Sequence, residues 1–409
     1  SGLLVKSVNV MEENLHELNA QGVKVPVLLG GAALAKPYCE GHLRGIYEGH
    51  VYHGKDAFEG LRIMDMIANN DEATLNAEID ARAEGRVQKD KKIAELKAKS
   101  TAAVGSAAEG PSGPDGGAVA VAEPPKKSVP VGRSASVRDE AEIPEPPFWG
   151  DRVVEGIDLK QVYPFINTSA LYKTQWQFVR GDKDSKTYND QLEHEVKPIF
   201  ERYKQELMDG DVLHPKVTYG YFPCNSDPNR PEDLIVYDPE DHDKEIERFS
   251  FPRQSRQKGL CISDFFLPAD RGQKDILPVQ CVTVGNKVSE VAGEYFKANN
   301  YKEYLYIHGM GVETAEALAE MWHKRVRQEL GIATDDASKV TQLFTQKYRG
   351  SRYSFGYPAC PDMSDQDKLW RMIDPTRIGC VLTENWQIDP EQSTSAIICH
   401  HPQAKYFNT

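Results

Sequence analysis

The sequence predicts two domains of different fold class, an α/β domain at the N-terminus and a mixed α+β domain at the C-terminus. Helical and strand-like segments alternate through residues 1–70, as in an open parallel sheet. Helices and then successive β-branched and aromatic segments follow through residues 144–409, as in an antiparallel sheet with helices packed on it. Residues 71–143 separate the two domains, and a chain of 409 residues is long enough for this arrangement.

The N-terminal domain is predicted around the apolar run Val25–Leu29, which is typical of a strand buried on both faces of a parallel sheet. The run ends in Gly30 and Gly31, small residues at the end of the strand where open α/β sheets bind ligands. The other predicted elements are a strand end at 3–5, helices over 8–21, 36–47 and 56–69, and a strand over 50–53. These elements make only about half of a doubly wound domain.

The segment between the domains is predicted in two parts. Residues 71–99 are rich in Ala, Glu, Lys and Arg, which favours a solvated helix with an apolar stripe through Leu75, Ile79 and Val87. Residues 100–142 are rich in Ala, Gly, Pro and Ser without periodicity, so composition predicts a disordered linker there.

The C-terminal domain is predicted as helices followed by an antiparallel meander, with further helices and strands after it. The predicted helices cover 159–166, 169–179, 188–208, 288–299, 304–331 and 365–373. The predicted strands cover 217–222, 234–237, 246–251, 279–284, 381–388 and 395–400, with a loop-and-strand passage at 259–265.

Composition excludes several classes of protein. The net charge of −13 argues against a nucleic-acid binder, which would need a basic surface. The sequence contains no run of about 18 apolar residues, so no membrane span is predicted. The N-terminal residues lack the basic-then-apolar order of a signal peptide. The seven cysteines are scattered without a C-x-x-C pair, so neither a zinc site nor a disulfide framework is expected. A reducing, cytoplasmic compartment fits this pattern best.

One stretch near the C-terminus, residues 352–362, stands out as a candidate binding loop. Gly356 permits close backbone approach, whereas Pro358 and Pro361 fix φ and remove two donors. Such a segment is expected to present the guanidinium of Arg352 and the ring of Tyr357 to a planar, carboxylate-bearing ligand. The alternative is a stiff surface loop without a ligand.

Other kinds of chemistry find no support in the sequence. There is no nucleophile elbow, dinucleotide fingerprint or phosphate loop. Adjacent residues Cys399 and His400 point to opposite faces of a strand and cannot easily chelate one ion. What remains are binding features: the small-residue strand end, the Arg352 loop and the terminal aromatic pair Tyr406-Phe407. The residues alone leave their ligands open.

Several motifs together resemble the C-terminal activation domain of cobalamin-dependent methionine synthase. The most specific is R-x-x-x-G-Y-P-A-C-P-D at 352–362. Supporting matches are P-P-F-W-G at 146–150, A-E-A-L-A-E at 315–320 before His323, L-T-E at 382–384 and H-P-Q-A-K-Y at 401–406. Upstream, 1–3 and 30–32 resemble the S-x-L and G-G elements of the family's Rossmann-like (flavodoxin-like) B12-binding domain, and 55–57 resembles its last turn.

The resemblance implies a function and a set of site residues. Residues 144–409 would bind S-adenosylmethionine and support reductive remethylation of cob(II)alamin, with an electron from flavodoxin or a methionine synthase reductase-type donor. Arg352 would hold the methionyl carboxylate, Tyr357 would approach the corrin, and Glu316 would face the cobalamin. The full implied S-adenosylmethionine set is Arg352, Gly356, Tyr357, Pro358, Ala359, Tyr406, Phe407 and Asn167; the implied cobalamin set is Ser1, Leu3, Gly30, Gly31, Ala57, Glu316 and Tyr357. No catalytic residue or metal ligand is assigned in this chain.

The sequence also departs from the family pattern. Asn167 and Thr168 stand where many members have Asp-Trp, and Phe407 replaces a second tyrosine. The cobalt-ligating D-x-H-x-x-G motif is absent from the sequence. We therefore expect a C-terminal piece of an enzyme that passes a methyl group from 5-methyltetrahydrofolate to homocysteine through methylcobalamin, with zinc, homocysteine and folate modules upstream. A standalone reactivation module and a structural interaction protein are the alternatives.

Overall fold

The computed structural model describes residues 5–31, 34, 36–54, 57–82, 132–138, 142–181, 183–255 and 258–407. The chain divides into two compact units, Ser1–Lys127 and Ser128–Thr409. Of the strand end predicted at 3–5, Leu3 and Leu4 lie outside the described residues, and the prediction is wrong at Val5, which begins a helix.

The N-terminal unit alternates helices and strands around a parallel strand pair. Its elements are α1 (Val5–Ala20), β1 (Val27–Gly30), α2 (Lys36–Tyr38), a π-helical turn (Cys39–Leu43), α3 (Arg44–Ile46), β2 (Val51–Gly54), α4 (Ala57–Ala68) and α5 (72–82). β1 and β2 pair in parallel, with Val27 opposite Val51 and Gly30 opposite Gly54. The helical turns from α2 to α3 supply the crossover that parallel pairing requires.

Burial in this unit differs from the prediction for the first strand. All four residues of β1 are half-buried, and Val25 before it is 60% exposed, so the expectation of a strand buried on both faces is wrong for this run. The buried strand is β2, whose Val51, Tyr52 and His53 are covered. α1 packs Met11 and Leu15 into a core beside Val51.

α5 packs on the N-terminal unit through its apolar stripe. Leu75 and Ile79 are buried in one cluster with Tyr52 of β2 and Ile63 of α4. The predicted stripe is present at these two positions, and its third member, Val87, lies outside the described residues. α5 therefore contributes to the core of the N-terminal unit.

The C-terminal unit is built on a seven-stranded antiparallel sheet. Its strands are β3 (Gly150–Val154), β4 (Lys216–Ser226), β5 (Asp233–Tyr237), β6 (Glu245–Ser250), β7 (Asp275–Thr283), β8 (Ser351–Tyr353) and β11 (Ser393–Cys399). The order is β6-β5-β4-β7-β11-β8, and β3 pairs with β4 as well. β4 is long because one edge pairs with β7 while the other pairs first with β3 and then with β5. A separate hairpin joins β9 (Val381–Leu382) to β10 (Ile388–Asp389).

Helices cover one part of this sheet and form the main core with it. The helices are α6 (Leu159–Val162), α7 (Thr168–Ala170), α8 (Ser185–Gln191), α9 (Lys197–Asp209), α10 (Lys287–Lys297), α11 (Tyr301–Glu329), α12 (Val340–Leu343) and α13 (Asp365–Ile373). α11 spans 29 residues, and Met310, Leu318 and Trp322 lie on its buried side. Val217 of β4 and Val282 of β7 belong to the same core.

Most predicted elements of this unit are present, and several differ from the prediction. The meander β4-β5-β6 and the helix α13 are confirmed. The strand predicted within 259–265 is wrong, because Ile262–Phe265 forms a 3₁₀ helix capped by the Asp264 side chain. The strand predicted at 381–388 is instead the short hairpin β9–β10, because the chain turns at Thr383 and Trp386. β3, β8 and α12 were not predicted.

Residues 132–138 are held against the C-terminal unit, although composition assigned them to the linker. Arg133 donates to the carbonyl oxygen of Phe266 at 2.8 Å, and Ser134 donates to that of Lys258 at 2.6 Å. The side chain of Gln403 bonds the backbone on both sides of Val137, which is buried. This segment is part of the C-terminal unit.

Three further findings concern the cysteines, membrane-spanning helices and metal sites. The seven cysteines are all free and buried. Within the described ranges, no helix is long and apolar enough to cross a membrane. The same residues contain no group of three His, Cys, Asp or Glu side chains placed to hold a metal ion.

Candidate functional site

A cleft of about 330 Å³ lies between α11 and the chain that leads into β8. We call it the Arg352 cleft. Three segments line it: α11, residues 165–170, and residues 343–352. The lining residues are Phe165, Asn167, Ala170, Glu313, Glu316, Ala317, Glu320, Leu343, Phe344, Gln346, Tyr348 and Arg352.

Arg352 is positioned by an edge strand rather than by a loop. It is the middle residue of β8 and pairs with Ile398 of β11, so the backbone at this point is fixed by the sheet. Its neighbours Ser351 and Tyr353 are buried, and because side chains alternate along a strand, Arg352 points to the other face. The sequence predicted a rigid presentation of this guanidinium, and the rigidity comes from strand pairing.

Two carboxylates of α11 face the guanidinium. Nη2 of Arg352 lies 3.2 Å from Oε2 of Glu316 and 3.7 Å from Oε2 of Glu320. Burial opposes the charge on Arg352, but these two carboxylates more than offset that effect and its pKa is raised. Glu316 is half exposed whereas Glu320 is almost covered, so the pair reaches from the surface into the cleft.

A third glutamate, Glu313, extends the same face of the helix. Positions 313, 316 and 320 are spaced i, i+3, i+7, which places their side chains in one row along α11. Glu313 is 6% exposed, and Nε2 of Gln175 donates a hydrogen bond to its Oε1 at 3.3 Å. The pKa of the Glu313 carboxyl is raised to about 7, because burial and the charge of Glu316 raise it by more than the hydrogen bond from Gln175 lowers it.

Glu320 combines burial with an unused oxygen. Burial raises the pKa of its carboxyl, and the charges of Arg352 and Arg327 lower it. Its Oε1 is buried and has no hydrogen-bond partner among the residues that the structure describes. A buried acceptor without a partner is unusual in a folded protein and costs free energy. It marks a place in the cleft where a donor group would be stabilised.

A layer of aromatic and charged side chains supports the cleft from below. Tyr348, which lines the cleft, packs edge-on against the His323 ring at a centroid distance of 5.0 Å. The guanidinium of Arg327 lies 4.0 Å from the Tyr348 ring centroid. Arg327 is itself held by Asp336 through bonds of 2.8 and 2.9 Å. The floor of the cleft is therefore fixed before any ligand arrives.

Asn167 lines the cleft from the opposite side and also caps a helix. Its side-chain oxygen accepts a hydrogen bond from the backbone N of Ala170 at 3.3 Å, at the start of α7. The resemblance suggested this residue as a ligand contact. The structure places it in the cleft lining with its oxygen already used as a cap.

The remaining residues of the 352–362 motif form a tight turn beside the cleft. Gly356 has φ +87°, a conformation that favours glycine, and its N donates to the oxygen of Cys360 at 2.9 Å. Tyr357 is 45% exposed at the tip of this turn, whereas Ala359 is fully buried. The pKa of Tyr357 is raised by partial burial and next by Glu316, so its hydroxyl lies within electrostatic reach of the Arg352–Glu316 pair. Gly356, Tyr357, Pro358 and Ala359 are not among the cleft-lining residues.

The two terminal aromatic residues have different surroundings. The backbone N of Tyr406 donates to Oε1 of Gln346, a cleft-lining residue, at 3.3 Å, and its ring is 43% exposed. Phe407 is buried, with ring centroids 6.0 Å from Tyr353 and 6.2 Å from Phe265. The structure therefore brings Tyr406 to the edge of the cleft and packs Phe407 into the core.

In the N-terminal unit, three of the implied cobalamin residues share one edge. Gly30 ends β1 opposite Gly54, which ends β2, and Gly31 follows with φ +121°. Ala57 begins α4 just after β2. All four positions lie at the carboxyl edge of a parallel pair, where open sheets bind ligands. Ser1 and Leu3 lie outside the described residues.

Sequence reasoning missed much of the cleft. Glu313, Glu320, Gln346 and Tyr348 line it but were not predicted as site residues. The i, i+3, i+7 spacing of the glutamates was visible in the sequence and could have indicated an acidic helix face. The sequence does not indicate that Gln175 belongs to the site, because its contact with Glu313 joins residues 138 positions apart.

Comparison with known proteins gives one family match. The model of the vitamin B12 dependent methionine synthase activation domain matches residues 158–409.

Two curated relatives match along the whole chain. The methionine synthase of Mycobacterium tuberculosis (strain ATCC 25618 / H37Rv) is 41% identical and that of Mycobacterium leprae (strain TN) is 40% identical, each over 100% of this chain. The chain spans 34% of the length of each relative.

A solved structure shares the fold. The crystal structure of the MetH reactivation domain bound to AdoHcy superposes with a TM-score of 0.60 at 24% identity. The match covers 66% of this chain and 84% of that chain. The likeness supports the mixed α+β fold with an antiparallel sheet.

Proposed function

Because the chain belongs to the family of vitamin B12 dependent methionine synthases, with the activation domain at residues 158–409, we propose that this domain binds S-adenosylmethionine in the Arg352 cleft. The family match confirms the resemblance that the motifs indicated. The observation that carries the proposal is the row of carboxylates on α11 facing one guanidinium in a cleft of about 330 Å³.

The charges of the cleft match the charges of the ligand. S-adenosylmethionine carries one carboxylate and two cationic centres, an ammonium and a sulfonium. The guanidinium of Arg352 is a planar fork that suits a carboxylate. Glu313, Glu316 and Glu320 provide the negative charge for cationic groups. When the ligand carboxylate engages Arg352, the glutamates that faced the guanidinium become available to the ligand.

The edge of the cleft offers contacts for the rest of the ligand and for a larger group above it. Tyr357 and Tyr406 are both exposed, and Tyr406 touches Gln346 of the lining. In our proposal their rings contact S-adenosylmethionine or the face of a corrin, and the turn of Gly356, Pro358 and Ala359 holds Tyr357 in place. Phe407 supports the site from the core through Tyr353.

We also propose that the N-terminal unit is part of a Rossmann-like cobalamin-binding domain. Gly30, Gly31 and Gly54 leave the carboxyl edge of β1 and β2 without side chains, which suits close approach of a large planar group. Gly30, Gly31 and Ala57 would hold cobalamin at this edge. Cobalamin, when bound, supplies metal-centred methyl-transfer chemistry.

In the whole enzyme we propose that this chain serves maintenance of the cofactor. The complete protein would transfer a methyl group from 5-methyltetrahydrofolate to homocysteine, with those substrates and zinc held by other modules. The role of the residues described here is to bind and orient S-adenosylmethionine, the methyl donor for reactivation. A flavodoxin or methionine synthase reductase-type protein would be the electron donor, in the cytoplasm.

Calorimetric titration of the full chain with S-adenosylmethionine tests the central part of this proposal. Wild type is expected to bind, and Arg352→Ala to lose about 1.5–3 kcal/mol of binding free energy, the size of a lost charge-assisted bond. Arg352→Lys keeps the charge but loses the fork, and is expected to fall between the two.

Lys347→Ala is the matched control, because Lys347 is an exposed cation five residues before Arg352 that does not line the cleft. This variant is expected to bind as wild type does. Undetectable binding by wild type, or equal losses in Arg352→Ala and Lys347→Ala, would contradict the assignment.

A further inference from the structure

Three glutamates of α11 line the Arg352 cleft in one row, Glu313, Glu316 and Glu320. Arg352 contacts Glu316 at 3.2 Å and Glu320 at 3.7 Å. A ligand carboxylate on Arg352 therefore brings the ammonium, which is bonded to the same carbon, next to these two glutamates. Glu313 lies about one helical turn further along the cleft, roughly 5–6 Å from Glu316 by helix geometry.

With the ligand carboxylate on Arg352, the sulfonium would be the ligand charge that reaches this position. It is separated from the carbon that bears the ammonium and carboxylate by two methylene groups, a span comparable to one helical turn. Glu313 lines the cleft, is 6% exposed, and is held by Nε2 of Gln175 at 3.3 Å. A buried carboxylate interacts more strongly with a cation than an exposed one, because less water screens the pair.

We infer that Glu313 is a specificity-determining residue whose carboxylate faces the sulfonium and so selects S-adenosylmethionine over its neutral product, S-adenosylhomocysteine. The inference rests on the proposed function and deepens it. The two molecules share the carboxylate, the ammonium and the adenosine, so only a group near sulfur can distinguish them by charge.

The protonation of Glu313 depends on its surroundings in the cleft. The charged and titratable residues that share the cleft with it are Glu316 and Glu320 on its own helix, and Tyr348 and Arg352 on the facing chain. The segment packed on its other side contributes the neutral Asn167 and Gln175. With a pKa of about 7, the free carboxyl is partly protonated at neutral pH. A bound cation favours the carboxylate, so binding of the sulfonium releases protons.

Calorimetry of the full chain with three ligands tests the inference. S-adenosylmethionine is sulfonium-charged, sinefungin carries an amine-bearing carbon in place of the sulfonium, and S-adenosylhomocysteine is neutral at sulfur. Glu313→Gln keeps the shape and the Gln175 contact but removes the charge. This variant is expected to weaken both cationic ligands by about tenfold, the size of a lost bond to a charged group, and to leave S-adenosylhomocysteine within about twofold.

Proton release provides a second readout, one that does not depend on comparing affinities. Titrations at pH 7 in phosphate and in Tris, which differ in ionisation enthalpy, are expected to show more proton release by wild type than by Glu313→Gln with S-adenosylmethionine. Glu294→Gln on the exposed face of α10 removes the same charge outside the cleft and is expected to match wild type.

The outcomes separate the inference from the function on which it rests. The role of Glu313 would be overturned, and the binding site left standing, by either of two results. One is that Glu313→Gln weakens the charged and neutral ligands equally, so that the ratio of their affinities is unchanged. The other is that wild type and Glu313→Gln release protons equally. Failure of wild type to bind any of the three ligands would overturn the proposed function itself. If Glu313→Gln does not fold, Glu313→Asp provides the test, because it keeps the charge at a greater distance. It is expected to lower the ratio of the affinity for S-adenosylmethionine to that for S-adenosylhomocysteine, by less than the loss expected of Glu313→Gln. No change in that ratio would refute the role.

Discussion

His323 lies beneath the cleft with both ring nitrogens buried and, within the described ranges, without a hydrogen-bond partner. Burial and the positive charges of Arg327 and Arg352 hold its pKa well below the ordinary value, so the imidazole is neutral in the folded protein. Its contact with Tyr348 makes it a supporting side chain for the floor of the cleft.

A pH dependence of stability follows from His323. The unfolded chain takes up a proton on this histidine as the pH falls below about 6.5, whereas the folded chain does not, so its contribution to stability is lost toward acid. Below a pH of about 6.5, the unfolding free energy of His323→Leu is therefore expected to fall less steeply than that of wild type. The difference in slope is expected to be about 1.4 kcal/mol per pH unit.

Urea denaturation followed by tryptophan fluorescence measures this change between pH 7.5 and 5. All five tryptophans of the chain lie in the C-terminal unit, so their fluorescence follows that unit. His194→Leu replaces an exposed histidine of the same unit and serves as the control. A slope in His323→Leu equal to that of wild type would show that the buried ring is protonated in the folded state.

At the scale of elements, α11 contributes to both the core and the cleft because it carries carboxylates on one face and apolar residues on another. Its carboxylates at 313, 316 and 320 face the cleft while Leu318 and Trp322 are buried in the core. Gly309, four residues before Glu313, lets the π-helical turn Leu171–Gln175 approach the helix closely. A methyl group at Gly309 would lie 2.8 Å from Cβ of Gln175, the residue that holds Glu313.

Two glycine substitutions test whether this close approach matters. Gly309→Ala improves helix propensity but forces apart α11 and the Gln175 turn, and is expected to destabilise the unit by about 1–3 kcal/mol. Gly293→Ala in α10 meets nothing within 4 Å and is expected to stabilise it by about 0.5–1 kcal/mol. Thermal unfolding compares the two, and stabilisation by Gly309→Ala would mean that the contact is not tight.

The elements that the sequence predicts well are those with long periodic patterns. The periodicity of Leu318, Met321 and Trp322 identifies α11, and the alternation in 217–222 identifies β4. β8 has only three residues and exists because it pairs with β11, 40 or more positions away, so no local pattern identifies it. The cleft was only partly predicted for the same reason. The motif at 352–362 identified Arg352, but the tertiary fold alone brings its partners on α11 to it.

At the scale of the whole molecule, the described chain consists of two units with separate cores. Leu15 and Leu43 belong to a core of the N-terminal unit, and Leu318 and Trp322 to that of the C-terminal unit. The Arg352 cleft is built entirely from the C-terminal unit. Binding of S-adenosylmethionine is therefore expected from this unit's residues alone.

A crystal structure of the full chain with S-adenosylmethionine tests the central claim most directly. We expect ligand density in the Arg352 cleft, with the methionyl carboxylate on the guanidinium of Arg352 and the sulfur facing the row of carboxylates on α11. Ligand bound elsewhere, or in this cleft with Arg352 still paired to Glu316 and not to the ligand, would contradict it.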